Sequence, residues 1–203
     1  MRFAVLGSSI AAKSAVENLL PRIAEKDSIR LITPENTLFY SRVLLPDYIA
    51  GKIGREGLKM KDQHIFRDNR IETIRGKAVD IDPRAKRISI DPTDGGRTVE
   101  HDYDICIVCT GASASPSELS GTGEGYLFSL RSLDDAEGIR ERMQTSQNCV
   151  ILGGGLVSLK AAWALNEMGK TVTVAVSAQS ILSRVADHYT SHMIRDSFEG
   201  AGV

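Results

Sequence analysis

The chain has 203 residues, a formal net charge of −1, 42% hydrophobic and 25% charged residues, and three cysteines. Near-balanced charge gives no reason to expect nucleic acid as a partner, and no apolar run reaches membrane-spanning length. The composition is that of a soluble globular protein of one large or two small domains, and cysteines without framework spacing suit a reducing cytoplasm rather than a disulfide scaffold.

Arg2–Leu6 is a short apolar run of strand length, followed without a spacer by Gly7-Ser8-Ser9-Ile10-Ala11-Ala12. The opening run has the length of a signal-peptide core but no convincing cleavage site. Small and apolar residues then recur at helical spacing: Ala12, Ala15, Val16, Leu19, Leu20 and Ile23. A buried strand, a tight turn and an amphipathic helix form the first half of a βαβ unit. Such a turn leaves the first helical N–H groups unpaired, and a pyrophosphate is the anion that end favours. The fingerprint is imperfect, with Gly7 at its first glycine position, Ser9 at the second and Ala12 at the third. On this motif alone a junction that binds nothing stands equal to a dinucleotide site.

Pro21 should stop or kink the helix. Ser28–Thr33 is the next strand, closed by Pro34-Glu35-Asn36. Glu35 stands where an acid would grip ribose hydroxyls, the alternative being a solvated loop carboxylate. The segment 38–51 contains Tyr40-Ser41-Arg42 and runs through a short helix to Ala50-Gly51.

With these residues in view, the chain resembles the FAD-binding half of the pyridine nucleotide-disulfide oxidoreductase superfamily. The nearest branch is that of rubredoxin and ferredoxin reductases, NADH oxidases and the large subunit of nitrite reductase. The resemblance implies that Gly7, Ser9, Ile10, Ala11, Ala12 and Glu35 hold FAD. It puts Arg42 near the FAD phosphates or adenine, against the alternative of a surface arginine. Val43 stands near the position of the redox cysteine of disulfide reductases, and no cysteine precedes Cys106. Dithiol chemistry on the flavin is therefore not expected. Pro46-Asp47 occupies the neighbourhood where some electron-transfer members place a lysine.

A polar stretch leads to a short helix expected over 62–69, with Ile65 and Phe66 inward. Strands are expected over 71–74, 78–81 and 87–90, and the turn Asp91-Pro92-Thr93-Asp94-Gly95-Gly96 returns the chain through 98–101. A three-stranded meander at this point matches the superfamily, which implies main-chain contact of Ala78 with adenine. The run 104–112 is a buried strand ending in Cys109-Thr110-Gly111-Ala112, similar to the family's Ala-Thr-Gly turn beside FAD. Cys106 and Cys109 spell C-x-x-C but project to opposite faces of a strand. Buried free thiols explain them better than redox or metal chemistry.

Residues 113–125 are expected to be a linker and 126–130 a strand. Ser132 with Asp134 and Asp135 is a helix N-cap in preference to a catalytic carboxylate dyad. The opening motif then repeats: a strand over 149–152, Gly153-Gly154-Gly155 with Ser158 beyond, a helix to Met168 stopped by Gly169, and a strand over 170–176. Two such units in tandem are the layout of flavin reductases that take hydride from a nicotinamide. Gly153, Gly155 and Ser158 are the corresponding cofactor candidates. Ser158 replaces the third glycine, and Lys160 replaces a glutamate that relatives turn to the nicotinamide pocket. Val176 leaves the strand end without an acid for an NAD ribose, and no arginine cluster awaits an NADP phosphate. His188 and His192 lie at i, i+4 on a helix expected over 186–199. Without an evident third ligand they are read as an ordinary exposed face, and no metal centre is expected.

The expected architecture is α/β, with two Rossmann-type units. Residues 1–114 form the FAD-binding unit with an inserted β-meander, and 115–203 an incomplete NAD(P)-binding unit. Relatives continue for a comparable length, so the chain is expected to be a truncated piece, inactive alone and homodimeric when full length. The implied reaction passes hydride from NAD(P)H to FAD and electrons to an unknown acceptor, a small molecule or a redox protein, with no catalytic side chain assigned. A degenerate, non-catalytic nucleotide-binding module is the rival reading. A disulfide reductase and a Rossmann methyltransferase rank below it.

Overall fold

Phe3, Ala4, Val5 and Leu6 are all buried, which a strand achieves only when both faces of its sheet are covered. In the computed structural model, which describes residues 1–61, 63–114 and 125–203, this run is β1 (Arg2–Leu6), paired in parallel with β2 (Ser28–Thr33) and β6 (Ile105–Val108). The remaining strands of the sheet are β3 (Ile71–Asp82), β4 (Arg87–Pro92) and β5 (Val99–Asp102), giving the order β5-β4-β3-β2-β1-β6. Side-chain alternation sorts the core into two layers. Phe3, Val5, Ile29 and Leu31 pack on Ala12 and Val16 of α1 (Ile10–Leu19) and on Phe39. Ala4, Leu6 and Ile32 pack on Ile88, Ile90 and Tyr103. Each such fully buried aliphatic side chain contributes about 1.5–3 kcal/mol. Cys109 joins the first layer and Cys106 the second, the opposite faces that their spacing demands.

The helix α1 stops at Leu19, and Pro21 sits in the 3-10 turn Leu20–Arg22 that follows. The meander differs from expectation in one respect. The segments 71–74 and 78–81 are not separate strands but one 12-residue strand, β3. Its first part pairs in parallel with β2, and from Gly76 onward it pairs antiparallel with β4, with a register shift between Ala78 and Asp80. Gly76 permits this, because a Cβ there would approach the Asp91 carbonyl oxygen to 2.9 Å. The expected helix near 62–69 is a 3-10 turn over Gln63–Arg67, Asp62 lying outside the described residues. Phe66 stacks on Phe39 with centroids 3.8 Å apart.

The chain divides into two compact units: Met1–Ser41 with Lys59–Ser113, and Arg42–Leu58 with Ala114–Val203. The sequence-based division at 114 thus differs over Arg42–Leu58, which groups with the second unit. In the first unit, Tyr40 bridges to Lys59 and the Met60 N–H donates to the Phe39 carbonyl at 2.8 Å.

The second unit holds α2 (Leu45–Ile49), α3 (Leu133–Met143), β7 (Asn148–Leu152), α4 (Leu156–Glu167), β8 (Thr171–Ala175) and α5 (His188–Gly200), with β7 and β8 parallel. Ser132 and Asp135 form a reciprocal capping box on α3 and Asp134 lies in its first turn, so both carboxylates sit at the helix start. Residues 126–130 form no strand. Tyr126 lies 3.8 Å from the Arg142 guanidinium, and a Cβ on Gly138 would meet Phe128 at 3.4 Å, so the segment lies along α3 instead of pairing with a strand. Most of the expected linker, 115–124, lies outside the described residues. Gly169, at φ +74°, ends α4. Among the described residues no helix is long and apolar enough to cross a membrane.

Candidate functional site

The carboxyl ends of β1, β2 and β6 meet at Gly7. Its N–H donates to the Ile32 carbonyl at 2.8 Å, and the Cys109 N–H donates to the Leu6 carbonyl at 2.8 Å. Gly7 has φ +117°, and a Cβ there would overlap the Cys109 carbonyl and approach the Thr110 nitrogen to 3.4 Å. The two sequence motifs, Gly7-Ser8-Ser9 and Cys109-Thr110-Gly111, therefore touch. The chain just past β6 is by itself enough to require glycine at position 7. Gly111, at φ +70°, turns the chain away next.

The helix that starts here is open at its N-terminus. Ser9 is the N-cap in extended geometry, its hydroxyl makes no capping bond, and the Lys13 N–H takes the Ser9 carbonyl at 2.9 Å. Ile10 and Ala11 are exposed and Ala12 is buried. No acid occupies the first turn of α1, so the N–H groups of residues 10–12 present uncompensated positive potential.

Glu35, just past β2, accepts from the Tyr40 hydroxyl at 2.9 Å, and its N–H donates to Thr33 Oγ1 at 3.2 Å. Arg75, which pairs with Thr33 across β3 and β2, donates to the Glu35 carbonyl. Ser8 and Thr33 share a buried hydroxyl hydrogen bond of 2.9 Å that ties the β1 turn to the β2 end. The sequence reading missed Ser8, Thr33, Tyr40 and Arg75. The only signal for the first two was their small size and their positions at strand ends. Ala78 lies on β3 opposite Ile90, its side chain against the second core layer. Arg42 falls in the second unit, where its Nη1 donates to the Arg131 carbonyl at 2.8 Å. Val43 is 68% exposed at the position compared with a redox cysteine.

The second unit repeats the turn. The Gly153 N–H donates to the Ala175 carbonyl at 2.8 Å, as Gly7 donates to Ile32, and Gly153 has φ +101°. Gly155 is the N-cap of α4, with open space where its Cβ would be, and no acid follows in the first turn. Ser158 Oγ lies 3.6 Å from a Cβ position on Gly153. Gly154 packs on Ile181, and a Cβ there would meet Val176 Cγ1 at 3.2 Å, so Val176 stands beside this turn. Lys160 lines a cleft of about 320 Å³ with Pro46, Asp47, Leu156, Trp163 and Leu182.

All three cysteines are free and partly buried, and burial pushes their thiol pKa values up from the ordinary range. His188 and His192 bring their Nε2 atoms to 3.1 Å. Among the described residues no third His, Cys, Asp or Glu joins them in a ligand cluster.

A turn of this kind, made twice, is matched by a known family over the whole chain: the family of pyridine nucleotide-disulphide oxidoreductases matches residues 1–203. The chain belongs to that family.

Among the curated proteins to which it is similar is the NADH-dependent phenylglyoxylate dehydrogenase subunit epsilon of Aromatoleum evansii. That protein is 31% identical over 201 residues, 99% of this chain and 47% of the relative. The rubredoxin-NAD(+) reductase of Pseudomonas putida is 28% identical over 205 residues, 100% of this chain and 52% of the relative. The chain spans about half the length of the curated relatives it matches. The water-forming NADH oxidase of Lactobacillus brevis, in a structure bound to NADH, superposes with a TM-score of 0.91 at 16% identity, over 100% of this chain and 45% of that one. At that identity the likeness speaks for the fold alone.

Proposed function

We propose that this chain supplies the FAD-binding and nicotinamide-binding turns of an NAD(P)H-dependent flavin oxidoreductase. The observation that carries the reading is the repeated turn. A positive-φ glycine donates its N–H to the neighbouring strand end, and a helix N-terminus without acids follows, once at Gly7 and again at Gly153. Both cradles suit the pyrophosphate of a dinucleotide.

In the first unit, the N–H groups of Ile10, Ala11 and Ala12 and the Ser9 hydroxyl hold phosphate. Glu35, kept in place by Tyr40, takes ribose hydroxyls, and the small residues of Cys109-Thr110-Gly111 let the cofactor lie close to the backbone. Ala78 main chain serves adenine. Bound FAD would accept hydride from the nicotinamide and release electrons to the acceptor. In the second unit, Gly153, Gly155 and Ser158 present the α4 N-terminus to the nicotinamide cofactor's phosphates. Burial raises the Cys106 and Cys109 thiol pKa values and the two lie on opposite faces, so this pair is not assigned as a thiolate partner for a flavin. The acceptor is a redox protein of the rubredoxin or ferredoxin kind, the partners that the relatives' names carry.

The test exploits the helix dipole. Ala11→Asp places a carboxylate in the exposed first turn of α1, where it favours the helix but repels a pyrophosphate. FAD titration of the native chain, followed by flavin fluorescence, should show binding. The Ala11→Asp protein should melt no lower and bind FAD at least tenfold more weakly. Equal FAD affinity in a folded Ala11→Asp protein would remove phosphate from this turn.

A further inference from the structure

We propose that His188 and His192 on α5 form a chelating pair for a divalent d-block cation, Cu²⁺ above Zn²⁺. The argument is geometric. The two residues are one helical turn apart, and their Nε2 atoms converge to 3.1 Å with ring centroids 4.3 Å apart. Two metal–nitrogen bonds of about 2.0–2.1 Å closing on that separation subtend roughly 100°. That angle lies between the tetrahedral value and the cis value of a tetragonal site, so imidazole-bound copper and zinc both fit. The pair is accessible, since His188 is exposed and His192 partly so. Water completes the coordination shell.

The surrounding charges define how the site loads. Arg195 Nη2 lies 2.8 Å from His192 Nδ1. The guanidinium can only donate, so the His192 proton sits on Nε2 and is donated to His188 Nε2. A cation takes both Nε2 lone pairs, which moves the His192 proton to Nδ1 and releases Arg195. Arg195 therefore competes with the metal twice, through this hydrogen bond and through its positive charge. It also holds the nearby carboxylates, with Asp196 at 3.6 Å and Glu199 at 3.5 Å. The acid beside the pair at the helix start, Asp187, is engaged as the N-cap, accepting from the Thr190 N–H at 2.8 Å.

The chelate exists only while α5 is helical, because i, i+4 spacing does not juxtapose side chains in an unfolded chain. Binding must therefore stabilise the fold. The experiment is Cu²⁺ titration of the whole chain by calorimetry and by the visible ligand-field band, repeated with Zn²⁺ and joined to melting curves. Native protein should bind one equivalent of Cu²⁺ and melt higher with it. His188→Ala and His192→Ala, which favour helix and so fold, should each bind tenfold or more weakly and lose the melting shift. His101→Ala should retain both, and Arg195→Ala should bind several-fold more tightly. Native affinity in either α5 histidine variant, or a loss in His101→Ala, overturns the proposal.

Discussion

The Cys109 carbonyl lies where a Cβ on Gly7 would have to go. This one contact closes the first glycine turn on the end of β6 and explains why position 7 is glycine before any ligand is considered. Its φ of +117° adds backbone strain for any other residue. Gly7→Ala should therefore destabilise the first unit by several kcal/mol, the left-handed cost alone being about 1–2 kcal/mol. Urea unfolding measures this. A variant as stable as the native chain would mean that β6 does not close on the turn. Substitution at Gly7 is thus a test of the fold, and the exposed Ala11 is the place to test the phosphate.

The same contact marks what could be seen in the sequence. β1, β2, the two glycine turns, the Ser132 cap and the Gly169 stop follow from local chemistry: apolar runs, small residues and capping patterns within a few positions of one another. The fused β3 was not legible, because its two halves are separated only by Arg75-Gly76-Lys77 and the continuity depends on β4 closing against Gly76. Residues 126–130 have strand composition but lie along α3, a tertiary choice that overrides propensity. Ser8, Thr33, Tyr40 and Arg75 escaped for a related reason. Each acts through a partner distant in sequence, as when Ser8 meets Thr33 or Arg75 reaches the Glu35 carbonyl.

The thiols supply a second prediction. Cys106 and Cys109 sit in separate core layers, with pKa values raised by burial. Converting both to Ala should cost stability through lost packing, about 1–2 kcal/mol in all. FAD affinity, and flavin reduction by NAD(P)H in the cofactor-loaded protein, should stay within a few-fold. A fall of several orders of magnitude in reduction rate, with the fold intact, would restore a thiol to the mechanism.

Acid stability should depend on Asp68. The Arg70 guanidinium, and then the Arg70 N–H, hold its carboxyl down at about 2, below the ordinary 3.8. A depressed folded-state pKa contributes stability that is complete above the unfolded value and vanishes as pH falls through the folded one. Melting temperatures of native and Asp68→Asn proteins should therefore differ most above about pH 5 and converge only below about pH 2. A gap that is constant with pH would show that the carboxylate's charge plays no part.

Nicotinamide choice is expected to turn on Val176. The residue stands beside the second turn, its Cγ1 3.2 Å from a Cβ position on Gly154, and it packs with Ile181 and Leu182. A carboxylate at that point would grip the ribose hydroxyls of NADH and repel the 2′-phosphate of NADPH. Valine does neither, so the protein should discriminate poorly between the two. Val176→Glu should shift preference toward NADH by tenfold or more, whereas Val176→Gln, of similar size and no charge, should shift it little. Trp163, the single tryptophan, lies on α4 in this unit, so its fluorescence should change on cofactor binding. Stopped-flow flavin reduction adds the rate. A strong native preference for either cofactor, or equal behaviour of the Glu and Gln variants, would place the ribose somewhere other than beside Val176.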